Sequence, residues 1–228
     1  LKKYSNKIEV INPPVELPEI SQQDTIAFLK EYNPDGKKPI IGMAARFATE
    51  KGVEVLLGAV ESLLSKYPKL QVWFAGPYKH ILGEEQYFER LEPRIKKLES
   101  SGNWRFLGLL NPKQMVSFYQ TIDMLTLPSL NSTESFGLVQ IEAMMNGKPV
   151  IASNLPGVRQ PVMRNRMGEI IPIGDWSELA RAIDKITKTK SHYRVDEKEL
   201  RQIYSPDAVA EAYEILFMKI KRELISDS

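Results

Sequence analysis

The feature that most limits what this chain can fold into is a repeated alternation of short apolar runs with helix-patterned stretches. "KPIIGMAA" (38–45) is a buried-strand pattern ending in small residues. After it, Val53, Leu56, Leu57, Val60, Leu63 and Leu64 recur at the spacing of one helix face. "LQVWFAG" (70–76), "WRFLG" (104–108), "IDMLTLP" (122–128), "KPVIAS" (148–153) and "GEIIPIG" (168–174) supply five further strand patterns. Between them lie helical segments. Residues 84–100 read as a charged helix that Pro93 is expected to kink or divide. "NPKQ" (111–114) offers Asn as N-cap, Pro at the first position and Gln at the third. "DWSELARAI" (175–183) places Asp and Glu at capping-box spacing. Strands that alternate with helices imply a parallel sheet covered on both faces. The expectation is therefore an α/β fold: a single Rossmann-like domain of about six parallel strands with flanking helices.

The ends of the chain depart from this beat. Residues 1–37 carry Pro13, Pro14, Pro18 and Pro34, and read as an interdomain linker plus one short helix, "QQDTIAFLKEY". Near the other end, Val209, Ala212, Tyr213, Leu216, Ile220 and Leu224 fall on one helix face. There is no internal repeat and no low-complexity segment. With 31 basic and 29 acidic residues the charge is too balanced to argue for nucleic acid. No cysteine is present, which excludes a disulfide scaffold and a thiolate metal site. No stretch approaches the roughly 20 apolar residues of a membrane span, and "LKKYSNKIEV" lacks a signal-peptide pattern. These features suggest a cytoplasmic protein. The chain does not begin with Met and is read as a fragment of a longer one.

Ligands of such a sheet sit beyond the carboxyl ends of its strands. After the first strand, Arg46 and Lys51 lie just before a helix expected to start near Gly52. Two cations at a helix N-terminus suit a phosphate or diphosphate; two solvated surface charges are the alternative. Neither GxGxxG nor GxxxxGK(S/T) occurs there. After the fourth strand comes "PSLNSTES", a turn-forming loop, and then "FGLVQIEAMM", a buried helix ending at "NG". Glu134 and Glu142 stand eight positions apart, about 80° off facing the same way on one helix. Glu134 is therefore placed in the loop and Glu142 in the helix's second turn. The backbone N–H groups of Ser135, Phe136, Gly137 and Leu138 would then point outward at the helix start. Each carboxylate suits vicinal hydroxyls, as on a sugar. Equally, Glu142 could be structural and paired with a neighbour such as Lys148, because a buried carboxylate needs a partner.

These segments resemble the family 4 glycosyltransferases (glycosyl transferases group 1), retaining enzymes of the GT-B fold, and specifically their C-terminal, donor-binding domain. "ARFATEKGVEVLLGAV" resembles the family's G-R-L-x-x-x-K-G segment. "FLGLLNPKQMVSFYQTIDMLTLPS" is similar to its F-x-G through P-S segment, and "ESFGLVQIEAMMNGKPVIAS" to its E-x7-E element. "LPGVRQPV" and "GEIIPIGDWSELARAI" follow in the family's order. The resemblance covers about residues 38–188. It implies that residues 38–190 bind a nucleotide-sugar, with UDP or GDP among the compatible carriers. Residues 191–228 would be helices returning toward an absent N-terminal, acceptor-binding domain. Without that partner the fragment should turn over poorly or not at all.

The resemblance also implies roles. Arg46 and Lys51 would hold the donor diphosphate and stabilise the leaving nucleoside diphosphate. Glu134 would contact the donor sugar near the reaction centre, and Glu142 the ribose hydroxyls. Backbone groups of Ser135, Phe136, Gly137 and Leu138 would touch phosphate or sugar, and the base would lie near Leu109 and Leu110. Such enzymes need no metal or other cofactor, and no metal cluster is evident in the sequence. Two other functions stay open: a non-catalytic nucleotide-sugar-binding module, and a GT-B sugar-nucleotide epimerase. The chain departs from the family pattern at Ala45, where Gly is usual, and at Gln160, where an acidic residue is common. His80 and His192 read as surface residues, and Trp176 as the first residue of its helix. The basic C-terminal face, "MKIKREL", is expected to be solvated, with peripheral contact to a membrane surface as the alternative.

Overall fold

A computed structural model describes residues 8–226, with the side chains of Lys190 and of residues 223–226 left undescribed. Residues 1–7 of the expected linker and the side chain of Leu224 therefore lie outside the described residues. The described chain falls into two compact units, 17–195 and 8–16 with 196–226.

The larger unit is built on six parallel strands: β1 (Ile40–Ala44), β2 (Gln71–Ala75), β3 (Trp104–Gly108), β4 (Met124–Leu127), β5 (Val150–Ser153) and β6 (Gly168–Ile171). Their spatial order is β3-β2-β1-β4-β5-β6. This is the expected α/β, Rossmann-like sheet. The order reverses between β1 and β4, which makes that pair the topological switch point. Strands β1, β2, β4 and β5 are buried at every residue. That explains their continuous apolar reading, since helices cover both faces.

On one face lie α2 (Val53–Leu63), α3 (Glu85–Ser100) and α7 (Trp176–Thr189), whose apolar residues join Ile41, Met43, Val72 and Phe74 in one cluster. Pro93 lies within α3 without dividing it. Glu89, whose carbonyl it leaves without a helical donor, is exposed to solvent. Helix α7 also differs from expectation in one detail. Asp175 Oδ1 accepts from the N–H groups of Ser177 and Glu178, both at 3.0 Å. The N–H of Asp175 itself donates to the Pro172 carbonyl, and Glu178 pairs with Arg181 instead of closing a capping box. Trp176 opens α7, half exposed, and packs its ring on Gly58.

The other face carries α1 (Gln22–Tyr32), α4 (Pro112–Thr121), α5 (Leu138–Met144) and α6 (Gln160–Asn165). Helix α4 has the capping box read from "NPKQ". Gly42 lets it approach β1 closely, because a Cβ there would sit 2.6 Å from Ile122 Cδ1. Helix α1 does not belong with a linker, as its sequence position suggests. Instead Phe28 is buried against Trp73 of β2, at 6.0 Å between ring centroids, and Thr25 Oγ1 donates to Gln120 at 2.6 Å. Helix α6 has no helical signature in the sequence; its six residues are too few to show a period.

The smaller unit holds α8 (Glu197–Ile203) and α9 (Pro206–Ser226). The N–H of Val15 donates to the Tyr204 carbonyl at 2.8 Å. Of the expected α9 face, Val209 is buried and Ala212 and Leu216 are half-buried, whereas Tyr213 and Ile220 are exposed. Both histidines are exposed.

Candidate functional site

At the switch point the loops after β1 and β4 are locked together. The first carries a 3-10 turn, Thr49–Lys51, which ends at Gly52 with φ 74°. A Cβ on Gly52 would lie 2.0 Å from the Pro128 carbonyl oxygen, so only glycine allows this approach. Thr49 is pinned by Glu84, which accepts from its N–H at 2.9 Å and its hydroxyl at 2.7 Å. The N–H of Leu130 donates to the Glu50 carbonyl at 2.8 Å. Helix α2 begins after this turn, at Val53.

The two loops enclose a cleft of about 420 Å³, lined by Ala44, Ala45, Arg46, Glu50, Lys51, Thr133, Glu134, Gly137, Leu138 and Val139. Five of the residues singled out by sequence meet here: Arg46, Lys51, Glu134, Gly137 and Leu138. The cations are neither bare nor simply solvated. Lys51 Nζ lies 2.8 Å from Glu134, with both side chains 18% exposed. Arg46 Nη2 lies 2.6 Å from Glu50, with exposures of 47% and 17%. Asn131 Oδ1 accepts from the N–H and hydroxyl of Thr133, which shapes the loop that delivers Glu134.

Helix α5 starts at Leu138, later than the sequence pattern suggests. Ser135 and Phe136 thus belong to the loop, and the N–H groups of the first turn begin with Leu138. Gly137 caps the helix at φ 78°, where a Cβ would meet Leu127 Cδ2 at 2.4 Å. Glu142 does sit in the second turn, but it does not line the cleft. Its carboxylate accepts from Tyr119 Oη of α4 at 2.5 Å, while Lys148 Nζ donates to the Gln120 carbonyl at 2.8 Å. Burial pushes the Glu142 carboxyl above the ordinary glutamate value, against the pull of the Tyr119 hydrogen bond. Burial likewise holds the Tyr119 hydroxyl well above its usual value, with the Glu142 charge adding to the effect. Leu109 and Leu110 follow β3 and lead into α4, outside the cleft lining, with Leu109 80% exposed.

Three structural residues escaped the sequence reading. Glu50 is the partner of Arg46, in a segment outside any α-helix, where no spacing rule pointed to it. Asn131 shapes the Glu134 loop from within the turn-forming segment. Gln140, fully buried, donates through Nε2 to the carbonyls of Phe136 and Val158, both at 2.8 Å. A polar residue inside "FGLVQIEAMM" was its signal. Gln140 ties the β4–α5 loop to the loop holding Gly157, where a Cβ would lie 1.8 Å from the Ser135 carbonyl oxygen. Gln160, at the departure from the family pattern, is the first residue of α6 and donates to the Pro156 carbonyl. Among the described residues no group of three or more His, Cys, Asp or Glu is arranged to hold a metal. None of the described helices is long and apolar enough to cross a membrane.

Comparison with known proteins identifies the family and the fold. The D-inositol 3-phosphate glycosyltransferase of Corynebacterium jeikeium is 36% identical over 149 residues, which is 64% of this chain and 35% of that protein. The chain thus spans about a third of the length of the curated relatives it matches. Among solved structures, Anabaena HepE in complex with UDP and glucose superposes with a TM-score of 0.76 at 22% identity, over 92% of this chain and 56% of that one. The C-terminal domain of the group 1 glycosyltransferase LpcC from Francisella tularensis gives a TM-score of 0.63 at 20% identity, over 82% of this chain and 92% of that domain. Both likenesses are of fold. The sequence profile described as "Glycosyl transferases group 1" matches residues 24–204, from within α1 to the end of α8, and the chain belongs to that family.

Proposed function

We propose that this chain is the donor-binding domain of a retaining glycosyltransferase, transferring a hexose from a nucleotide-diphosphate sugar to an acceptor hydroxyl. The observation that carries the reading is the convergence of Arg46, Lys51 and Glu134 on one cleft at the switch point of the sheet. In this reading Arg46 and Lys51 bind the diphosphate, Glu134 the donor sugar and Glu142 the ribose hydroxyls. Loop and first-turn backbone groups from Ser135 to Leu138 touch phosphate or sugar, and Leu109 and Leu110 border the base. Glu142 gives up its Tyr119 contact, or shares it, to accept from ribose.

The bond from the anomeric carbon to phosphate oxygen breaks, and its electron pair leaves with the nucleoside diphosphate. Fixed cations meet that charge where it develops. The acceptor oxygen attacks on the same face, so configuration is retained, and its proton passes to the leaving phosphate oxygen. No metal is required for these steps. The acceptor site belongs to a second, N-terminal domain, so the chain alone binds donor without efficient turnover. Inositol 3-phosphate, in the name of one relative, carries hydroxyl groups and supports an acceptor of that class.

Calorimetric titration with UDP, GDP and ADP, followed by their hexose conjugates, tests the proposal. The expected result is saturable binding of one nucleotide, weakened by Lys51→Ala. If no nucleotide binds at millimolar concentration, either to this chain or to a longer one containing the N-terminal domain, the reading is wrong.

A further inference from the structure

We infer that Glu50 is a positioning residue of this cleft: it holds Arg46 and is the resident counter-ion that a ligand's diphosphate must displace from it. The choice of diphosphate as ligand rests on the donor-binding reading above. The exchange itself rests on the geometry of four side chains.

Glu50 is the fixed member of its pair. Its carbonyl is held by the Leu130 N–H, its neighbour Thr49 by Glu84, and its turn by the close approach of Gly52 to Pro128. Its side chain is 17% exposed, whereas that of Arg46 is 47% exposed on a long, flexible stem. The carboxylate therefore decides where the guanidinium rests. Lys51 and Glu134 form a second pair across the same cleft. Two cations and two carboxylates sum to zero, so these four side chains offer no unneutralised cation to a passing anion.

This balance favours one class of ligand. A single phosphate that reaches one cation exchanges one charge-assisted bond for another and gains little. A diphosphate can engage Arg46 and Lys51 together, and its second contact costs no further loss of translational freedom. The same exchange frees Glu134 Oε2 from Lys51 and so adds an acceptor for hydroxyls once the phosphates are seated. The resident carboxylates thus act as placeholders that favour diphosphate before sugar.

Inorganic diphosphate and inorganic phosphate are suitable probes because neither depends on the base. Both would be titrated into the wild-type chain, Glu50→Gln, Glu50→Asp, Arg46→Ala and the Glu50→Gln/Arg46→Ala double variant. The wild type should prefer diphosphate. Removing the competing charge in Glu50→Gln should tighten diphosphate binding about 2- to 5-fold, the scale of a partly exposed ion pair. Glu50→Asp, with a shorter reach, should show a smaller gain in the same direction. The Glu50→Gln gain should vanish without Arg46, which no purely structural role of Glu50 would produce. Unchanged or weaker diphosphate binding in both Glu50 variants overturns the inference, as does a gain that persists without Arg46. If diphosphate behaves as described while no nucleotide binds, the exchange stands and the donor reading fails. Nucleotide binding that is indifferent to both Glu50 variants upholds the donor reading and overturns the exchange.

Discussion

Glu142 has two separable jobs, and substitution can pull them apart. In this structure its carboxylate is the acceptor for Tyr119 Oη, a hydroxyl on a fully buried ring. Glu142→Ala leaves that hydroxyl without its acceptor and should cost about 1–3 kcal/mol. For a chain of this size each kcal/mol corresponds to roughly 2–4 °C in melting temperature. Glu142→Gln keeps an acceptor oxygen in place and removes a charge that the site disfavours. It should stay within about 1 kcal/mol of wild type at neutral pH. The sign of its pH dependence follows from the raised carboxyl. The native state holds the Glu142 proton more tightly than the unfolded chain does. That contribution is therefore fully present below the ordinary glutamate value of 4.5 and is lost as pH rises through the raised native value. The wild type should accordingly lose stability relative to Glu142→Gln as pH climbs through that window. Thermal melts by circular dichroism on both sides of it measure this difference. Nucleotide titration of the same proteins should show weaker binding in both variants, since an amide accepts two ribose hydroxyls less well than a carboxylate does. If Glu142→Gln melts as low as Glu142→Ala, an acceptor oxygen for Tyr119 is not what Glu142 contributes to stability. If it melts like wild type and also binds nucleotide like wild type, the ribose role is refuted.

Two further outcomes test the framework around the site. Gly52→Ala would force a Cβ toward the Pro128 carbonyl and hold a left-handed φ, at a cost of about 1–3 kcal/mol; its melting temperature should fall and its diphosphate affinity should drop with it. Lys188, Lys66 and Tyr67 hold the Asp184 carboxyl far below its usual range. Its contribution is present above the ordinary aspartate value and is lost as pH falls, so Asp184→Asn should cost about 1 kcal/mol near pH 7 and nothing measurable in acid, as read by urea unfolding at the two pH values.

Much of this architecture was legible because it rests on short-range rules. Short apolar runs identified all six strands, helix-patterned stretches the helices from α1 to α5, and α7 and α9, and "NPKQ" announced its own capping box. Arg46, Lys51 and Glu134 stood out because they follow the carboxyl ends of strands, where ligands of such a sheet bind, and the family resemblance gave them roles. The five stretches of that resemblance also carried the family assignment. What the tertiary structure alone decided was pairing. Lys51 meets Glu134 across 83 positions of sequence, and Glu142 meets Tyr119 across 23. Helix α1 belongs with the sheet because Phe28 finds Trp73, and α5 begins at Leu138 because Gly137 must turn beneath Leu127. Local periodicity reports which way a side chain faces along its own element. Which distant group waits there depends on strand order and loop closure, and those are settled only when the sheet assembles.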